Sequence, residues 1–265
     1  MLRSVFAKSL RDSRRGLVIW AVAMLVLGIY IVGFYPAIQG ASGLQDLING
    51  LPPAIKAIIG NSDYSTASGY LNAELFSVMG PILFIAYAAV VGSGAIAGEE
   101  DRGTLDLLLS NPVSRSRVYV EKVGALMVGI GITGGALWVA TVGTAVVFKI
   151  AGIDAGNLLA AMVSSCLLGL SVGAIAFALG AATGSRALAA GVAAAVAIVG
   201  YIINAYAPLV DALNTLKPLS LVFYYSDRDP VLHGLQPGNA LVLLVFAAVV
   251  LALGLVAFRR RDLAV

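Results

Sequence analysis

The residues equipped for chemistry are few, and most of them crowd one stretch. Glu99, Glu100, Asp101, Arg102, Asp106, Arg115, Arg117, Glu121 and Lys122 fall within residues 98–122, GEEDRGTLDLLLSNPVSRSRVYVEK, in a chain that is only 12% charged. The usual arrangements for catalysis are missing. No GxxxxGK(S/T) motif is present to cradle a phosphate, and Lys8-Ser9 follows Ala7 without the glycines, so ATP is not bound by that device. His233 is the single histidine; no HExxH pair and no GxSxG nucleophile accompanies it. It stands near Asp227 and Asp229 in what reads as an ordinary polar loop rather than a metal site. Cys166 is the single cysteine, which excludes an intrachain disulfide and a Cys-based zinc site; beside Ser164 and Ser165 in an apolar run it reads as a small packed hydrophobe. We therefore assign no catalytic residue, no metal and no cofactor to this chain, and do not read it as an enzyme by itself. A concentration of charge without catalytic partners fits a surface that another protein pushes against.

The rest of the chain must hold that surface in place, and its composition says how. The 265 residues are 60% hydrophobic, with a mean hydropathy of +0.94. Soluble domains carry about 25% charged residues, so lipid contact explains the surplus better than a large core. Thirty glycines among abundant alanine, valine and leucine suit closely packed membrane helices rather than disorder. The fold class expected is all-α: a polytopic membrane protein forming a single transmembrane domain over residues 1–265. Apolar runs near the ~20 residues needed to cross fall at about 17–36, 75–97, 123–148, 158–183, 187–206 and 240–258. Residues 1–16 are basic with apolar residues near helical spacing, which predicts an amphipathic surface helix. The first run exceeds a signal-peptide core and no convincing cleavage site follows, so it reads as an uncleaved span. Segments 37–74 and 208–239 are the long connections on the opposite side, with one or two short amphipathic helices expected over 44–59.

Six spans put both termini on one side. That side carries thirteen of the seventeen Lys and Arg, the other only Lys56, Lys149, Lys217 and Arg228. The positive-inside rule makes it cytoplasmic, together with the 98–122 stretch, and accounts for the pI of about 9.0 without a nucleic-acid partner. Within the span limits there is no Asp, Glu, Lys, Arg or His; Glu74 and Lys149 lie at ends. Ion-coupled carriers and voltage sensors place ionisable groups at depth, so energy is expected to enter from outside the chain. Polar uncharged residues do occur in the spans, among them Thr133, Thr141, Ser165 and Ser171, and interhelical hydrogen bonding is their ordinary role. Tyr87, Tyr201 and Asn204 are the candidates for a substrate path. Phe223, Tyr224 and Tyr225 read as residues resting at lipid headgroups.

Within the polar stretch, Glu99, Glu100 and Asp101 precede a short helix, where acidic groups oppose the positive end of its dipole. Leu105, Leu108 and Leu109 fall at i, i+3 and i+4 and give it one apolar face. Asn111-Pro112 ends that helix, and Ser114 can cap the next one, which carries Arg115, Arg117, Glu121 and Lys122 into the third span. The leucines could dock a partner or tuck back against the bilayer.

Glu99, the Arg102-Gly103-Thr104 turn, Leu105 to Leu109 and Pro112-Val113-Ser114-Arg115 resemble the cytoplasmic loop between the second and third spans of ABC exporter permeases of the ABCG-like, type V class, in the bacterial half-size form with a separate ATPase chain. RDSRRGLVIW (11–20) and SGYLNAELF (68–76) are also similar to members of that class. The resemblance implies a coupling helix at 98–122 seated in the cleft of an ABC ATPase subunit, with Glu99, Glu100, Asp101, Arg102, Leu105, Leu108, Leu109 and Arg115 at the interface. It implies a second permease chain, identical or not, a connecting helix at the N-terminus, ATP and Mg held by the partner ATPase, and a bacterial-type inner (plasma) membrane. Substrate would pass between the second and fifth spans. A membrane sensor or regulatory subunit, or a passive channel docking a cytoplasmic partner through 98–122, is the alternative.

Overall fold

The computed structural model of the chain describes residues 4–39, 43, 50–59, 63–110 and 112–262. Among them the secondary structure is helical, with no strand. Six helices are long and apolar enough to cross a membrane.

Helix α1 (Val5–Gln39) is unbroken over 35 residues, about 52 Å at 1.5 Å per residue. The surface helix expected over 1–16 and the first span are thus one element. Nothing between them stops a helix: Arg14 and Arg15 are good helix formers, and the lone Gly16 costs only about 1 kcal/mol. A span needs ~30 Å, so the basic first turns extend beyond the apolar layer. Helix α2 (Pro53–Ile59) follows; the other short helix expected over 44–59 falls outside the described residues. Helix α3 runs over Ala67–Ala95 and contains a π-helical stretch, Asn72–Met79. Two short helices, α4 (Ala97–Asp101) and α5 (Thr104–Leu109), lead to α6 (Arg115–Val147), α7 (Ala155–Thr183) and α8 (Arg186–Tyr206). The second long connection holds α9 (Asp211–Leu216), α10 (Leu221–Ser226) and α11 (Pro230–His233) before α12 (Pro237–Arg260).

Helix α7 is the centre of the bundle. It packs on α3, α12, α8 and α6, while α1 packs on α6 from outside. Small residues set how close the helices come. A Cβ on Gly92 of α3 would stand 2.7 Å from the Gly173 carbonyl oxygen, and one on Gly173 would stand 2.8 Å from Ala88 Cβ. Two glycines facing each other let α3 and α7 touch backbone to backbone, the contact that drives packing where lipid supplies no hydrophobic force. Phe84, Phe177, Tyr119, Leu126, Leu137 and Phe258 are among the buried residues of the core. The outward faces of α1 and α12 carry Val18, Ile19, Val26, Leu241, Val245 and Leu253, all exposed, as lipid-facing helices require.

Hydroxyls inside the bundle are satisfied locally. Thr133, Thr141, Ser165 and Ser171 each donate to a carbonyl three or four residues back. Tyr225 differs from its expected place at the headgroups. It is buried, on a short helix wedged against α7, α8 and α12, and its hydroxyl donates to the Phe76 carbonyl at 2.5 Å. Phe76 lies in the π-helical stretch of α3, where the wider turn disturbs the ordinary backbone ladder, and a buried tyrosine supplies a partner for its carbonyl.

Candidate coupling surface and transmembrane cavity

The polar connection is a compact double helix hung from the bundle. Helix α3 ends at Ile96, whose φ of −110° and ψ of −56° turn the chain aside. Helix α4 is followed by Gly103 at φ +64°, a left-handed turn that a glycine makes at no steric cost. Helix α5 follows, and Ser114 then accepts a hydrogen bond from Arg117 N at 3.2 Å to start α6. Asn111, expected to end α5, lies outside the described residues.

Ion pairs fasten this connection to both ends of the chain. Glu99 is buried, and its Oε1 receives Lys122 Nζ of α6 at 2.9 Å and Lys8 Nζ of α1 at 3.2 Å. Lys122, itself 4% exposed, also donates to the Ala95 carbonyl at the end of α3, at 2.7 Å. Glu100 takes both arms of Arg261, beyond the end of α12. Arg115 donates to the Arg261 carbonyl at 2.6 Å. Glu121 accepts from Phe6 N at 2.7 Å and from Arg117 Nε at 2.7 Å. The N-terminal turns, the 98–122 stretch and the C-terminal end therefore meet at one pole of the molecule.

Of the residues expected at a docking interface, Glu99, Glu100 and Arg115 are thus engaged inside the chain, and Leu105 is 1% exposed within the core. Leu109 packs against the core and is half-buried, as is Leu108. Asp101, Arg102 and Asp106 are exposed, and Leu107 is the outward leucine of α5, at 70% exposed. Leu105, Leu108 and Leu109 lie on the more buried side of α5, and nothing in their i, i+3, i+4 spacing says whether that face looks toward a partner or toward the protein's own core. Sequence reasoning missed the roles of Lys8, Arg261 and Leu107. The signal for the first two was the basic residues at both termini, which the charge census used only for orientation.

The substrate-path candidates divide between two places. Tyr201 and Asn204 line a cavity of about 510 Å³ between α3 and α8, floored by α10, with Ser77, Ile85 and Tyr225 among its walls. Asn204 Nδ2 donates to Ser226 Oγ at 2.8 Å. Its Oδ1 is buried without a hydrogen-bond partner. The remaining walls are mostly apolar, with Pro81, Ile82, Ala194 and Ala197 among them, but Ser226 and the carboxylate Asp229 also line the cavity, so it suits a largely apolar body that carries several polar contacts. Tyr87 is not there. It is buried on another face of α3, edge-on to Trp20 of α1 with ring centroids 5.7 Å apart, and lies so close to Gly129 of α6 that a Cβ there would collide with its hydroxyl. At the other pole, Tyr64 donates to Glu74 at 2.9 Å, and burial together with that carboxylate pushes the phenol well above its ordinary pKa.

A family model described as ABC-2 family transporter protein matches residues 3–263, nearly the whole chain. A search of curated proteins returned no match.

Proposed function

The chain belongs to the ABC-2 transporter family and is a multi-pass membrane permease component of an ABC transporter; from that premise we propose that it is the permease subunit of an ATP-driven exporter of the ABCG-like, type V class, in the half-size form that works with a separate ATPase chain. Two copies of the permease, or this chain and a similar one, combine with two ATPase subunits in a bacterial plasma membrane, with both termini in the cytoplasm. ATP and Mg belong to the partner chain.

The observation that carries this reading is the tethering of α4 and α5. A force applied to α5 cannot be absorbed by a slack loop, because Glu99 ties α4 to α1 and α6, and Glu100 ties it to the end of α12. Motion of the short helices is passed to three spans at once. The surface offered to the ATPase is the outward side of this pair: Leu107 as the apolar contact, with Asp101, Asp106 and the half-buried Leu108 around it. The buried Glu99 and Leu105 serve as the fastening. On the membrane side, the α3–α8 cavity supports a path between the second and fifth spans, with Tyr201, the unpaired Asn204 oxygen, Ser77, Ser226 and Asp229 as its polar groups and an otherwise apolar wall that favours lipophilic or amphipathic cargo.

Co-expression with the cognate ABC ATPase tests the reading. A stable assembly is expected, in which Leu107→Asp breaks co-purification or uncouples ATP hydrolysis from transport in proteoliposomes. A chain that forms no assembly with any ABC ATPase, yet binds a ligand without moving it, would instead be a sensor subunit.

A further inference from the structure

At the pole where the start of α1 meets the end of α12, a cavity of about 300 Å³ lies among α1, α3, α6 and the start of α8. Its lining combines charged residues, Asp12, Glu99, Arg102, Lys122 and Arg186, with apolar ones, among them Leu17, Val91 and Leu126. The two arginines come from different elements. Arg186 Nε lies 3.5 Å from where a Cβ on Gly94 would stand, and the Arg102 guanidinium nitrogens lie 3.8 and 3.9 Å from the same point on Gly98. The two guanidiniums line the same cavity, each over a glycine whose bare backbone leaves room for it.

Neither guanidinium has a carboxylate or hydrogen-bond partner among the described residues. The two acids of the cavity, Asp12 and Glu99, make their ion pairs with Lys8 and Lys122 rather than with either arginine, and Glu99 Oε2 is buried without a hydrogen-bond partner. Arg186 is also the first residue of a 21-residue helix with no acid in its first turn, so it adds to the positive end of the helix dipole rather than opposing it. Two unpaired guanidiniums on one cavity and a helix start form an arrangement that an anion relieves, and forked guanidiniums match phosphate oxygens. Ser9 Oγ, buried on the same wall without a partner, offers a further donor.

We propose that this cavity seats an anionic phospholipid of the adjoining leaflet, its phosphate between Arg102 and Arg186 and an acyl chain along the apolar wall. The chemistry recognised by the two arginines is that of a phosphate group. The apolar continuation selects a lipid over a free phosphate ion.

The test is lipid retention by the purified full-length chain in detergent, read by native mass spectrometry during titration with phosphatidylglycerol, with phosphatidylcholine of the same chains, and with inorganic phosphate alone. The wild type is expected to prefer phosphatidylglycerol by about thirtyfold, the combined contribution of two arginines near an anionic headgroup. The double variant Arg102→Gln/Arg186→Gln should bring that preference close to one, while Arg102→Lys/Arg186→Lys keeps part of it, a rescue that a merely misfolded protein would not give. Arg259→Gln/Arg260→Gln, which alters charge at the same pole away from the cavity, should leave the preference in place. The proposal is overturned if the Arg102/Arg186 glutamine pair retains the lipid preference, if the Arg259/Arg260 pair loses it equally, or if millimolar inorganic phosphate displaces the lipid and so shows a soluble anion to be the occupant.

Discussion

At the scale of single residues, the molecule turns on a few polar groups that sit where water is scarce. Glu99 and Lys122 are 2.9 Å apart and almost wholly buried. Removing one partner from such a pair leaves an uncompensated charge, which costs about 3–5 kcal/mol, whereas replacing both by apolar residues of similar size is often neutral. Glu99→Gln should therefore lower the thermal midpoint of the purified chain markedly, and the double variant Glu99→Leu/Lys122→Met should recover most of the loss in the same melting assay. If the pair also transmits motion, the double variant stays folded but couples ATP hydrolysis to transport poorly. Tyr225 makes a second residue-scale case. Tyr225→Phe removes the donor to the Phe76 carbonyl and leaves a buried acceptor unsatisfied, a loss of about 1–3 kcal/mol, to be read by thermal melting and by faster amide exchange in the π-helical stretch of α3.

At the scale of elements, α5 shows how one turn of helix serves two purposes. Leu105 faces the core and Leu107 faces away, so the same kind of substitution should fail differently at each. Leu105→Ala opens a cavity and should cost about 2–5 kcal/mol of stability. Leu107→Asp touches no core and should stay within about 0.5 kcal/mol, yet it should abolish co-purification with the ATPase. Equal effects of the two variants on stability and on assembly would remove the distinction. The α3–α7 seam is the other element-scale feature. Gly173→Val would push a branched side chain into the α3 backbone, so the folded yield of this variant should fall well below that of Gly131→Val, where a Cβ meets nothing within 4 Å.

At the scale of the whole molecule, the two poles differ in chemistry. One gathers the start of α1, the end of α12, α4, α5 and most of the basic residues. The other gathers α9 to α11 and the tyrosine cluster around Glu74. In a Cys166→Ala background, Lys149→Cys should react with an impermeant maleimide on intact cells, whereas Leu107→Cys should react only after permeabilisation. The reverse pattern would invert the topology and with it the expected direction of transport.

The sequence by itself determined what depends on summed, local properties. Six apolar runs of sufficient length, the lack of ionisable groups within them and thirteen cations on one side require only counting along the chain, because lipid leaves helices few alternatives. Ser114 as a cap follows from neighbouring residues alone. Partnership across the bundle is a different kind of fact. That Glu99 meets Lys8 and Lys122, that Glu100 meets Arg261 about 160 residues away, that Leu105 rather than Leu107 is buried, and that Tyr87 lies apart from Tyr201 and Asn204 were decided only by tertiary structure. A hydrophobic helix in lipid carries little periodic signal, so its sequence does not say which face meets protein. Only the packing of the helices against one another assigns each polar group its partner.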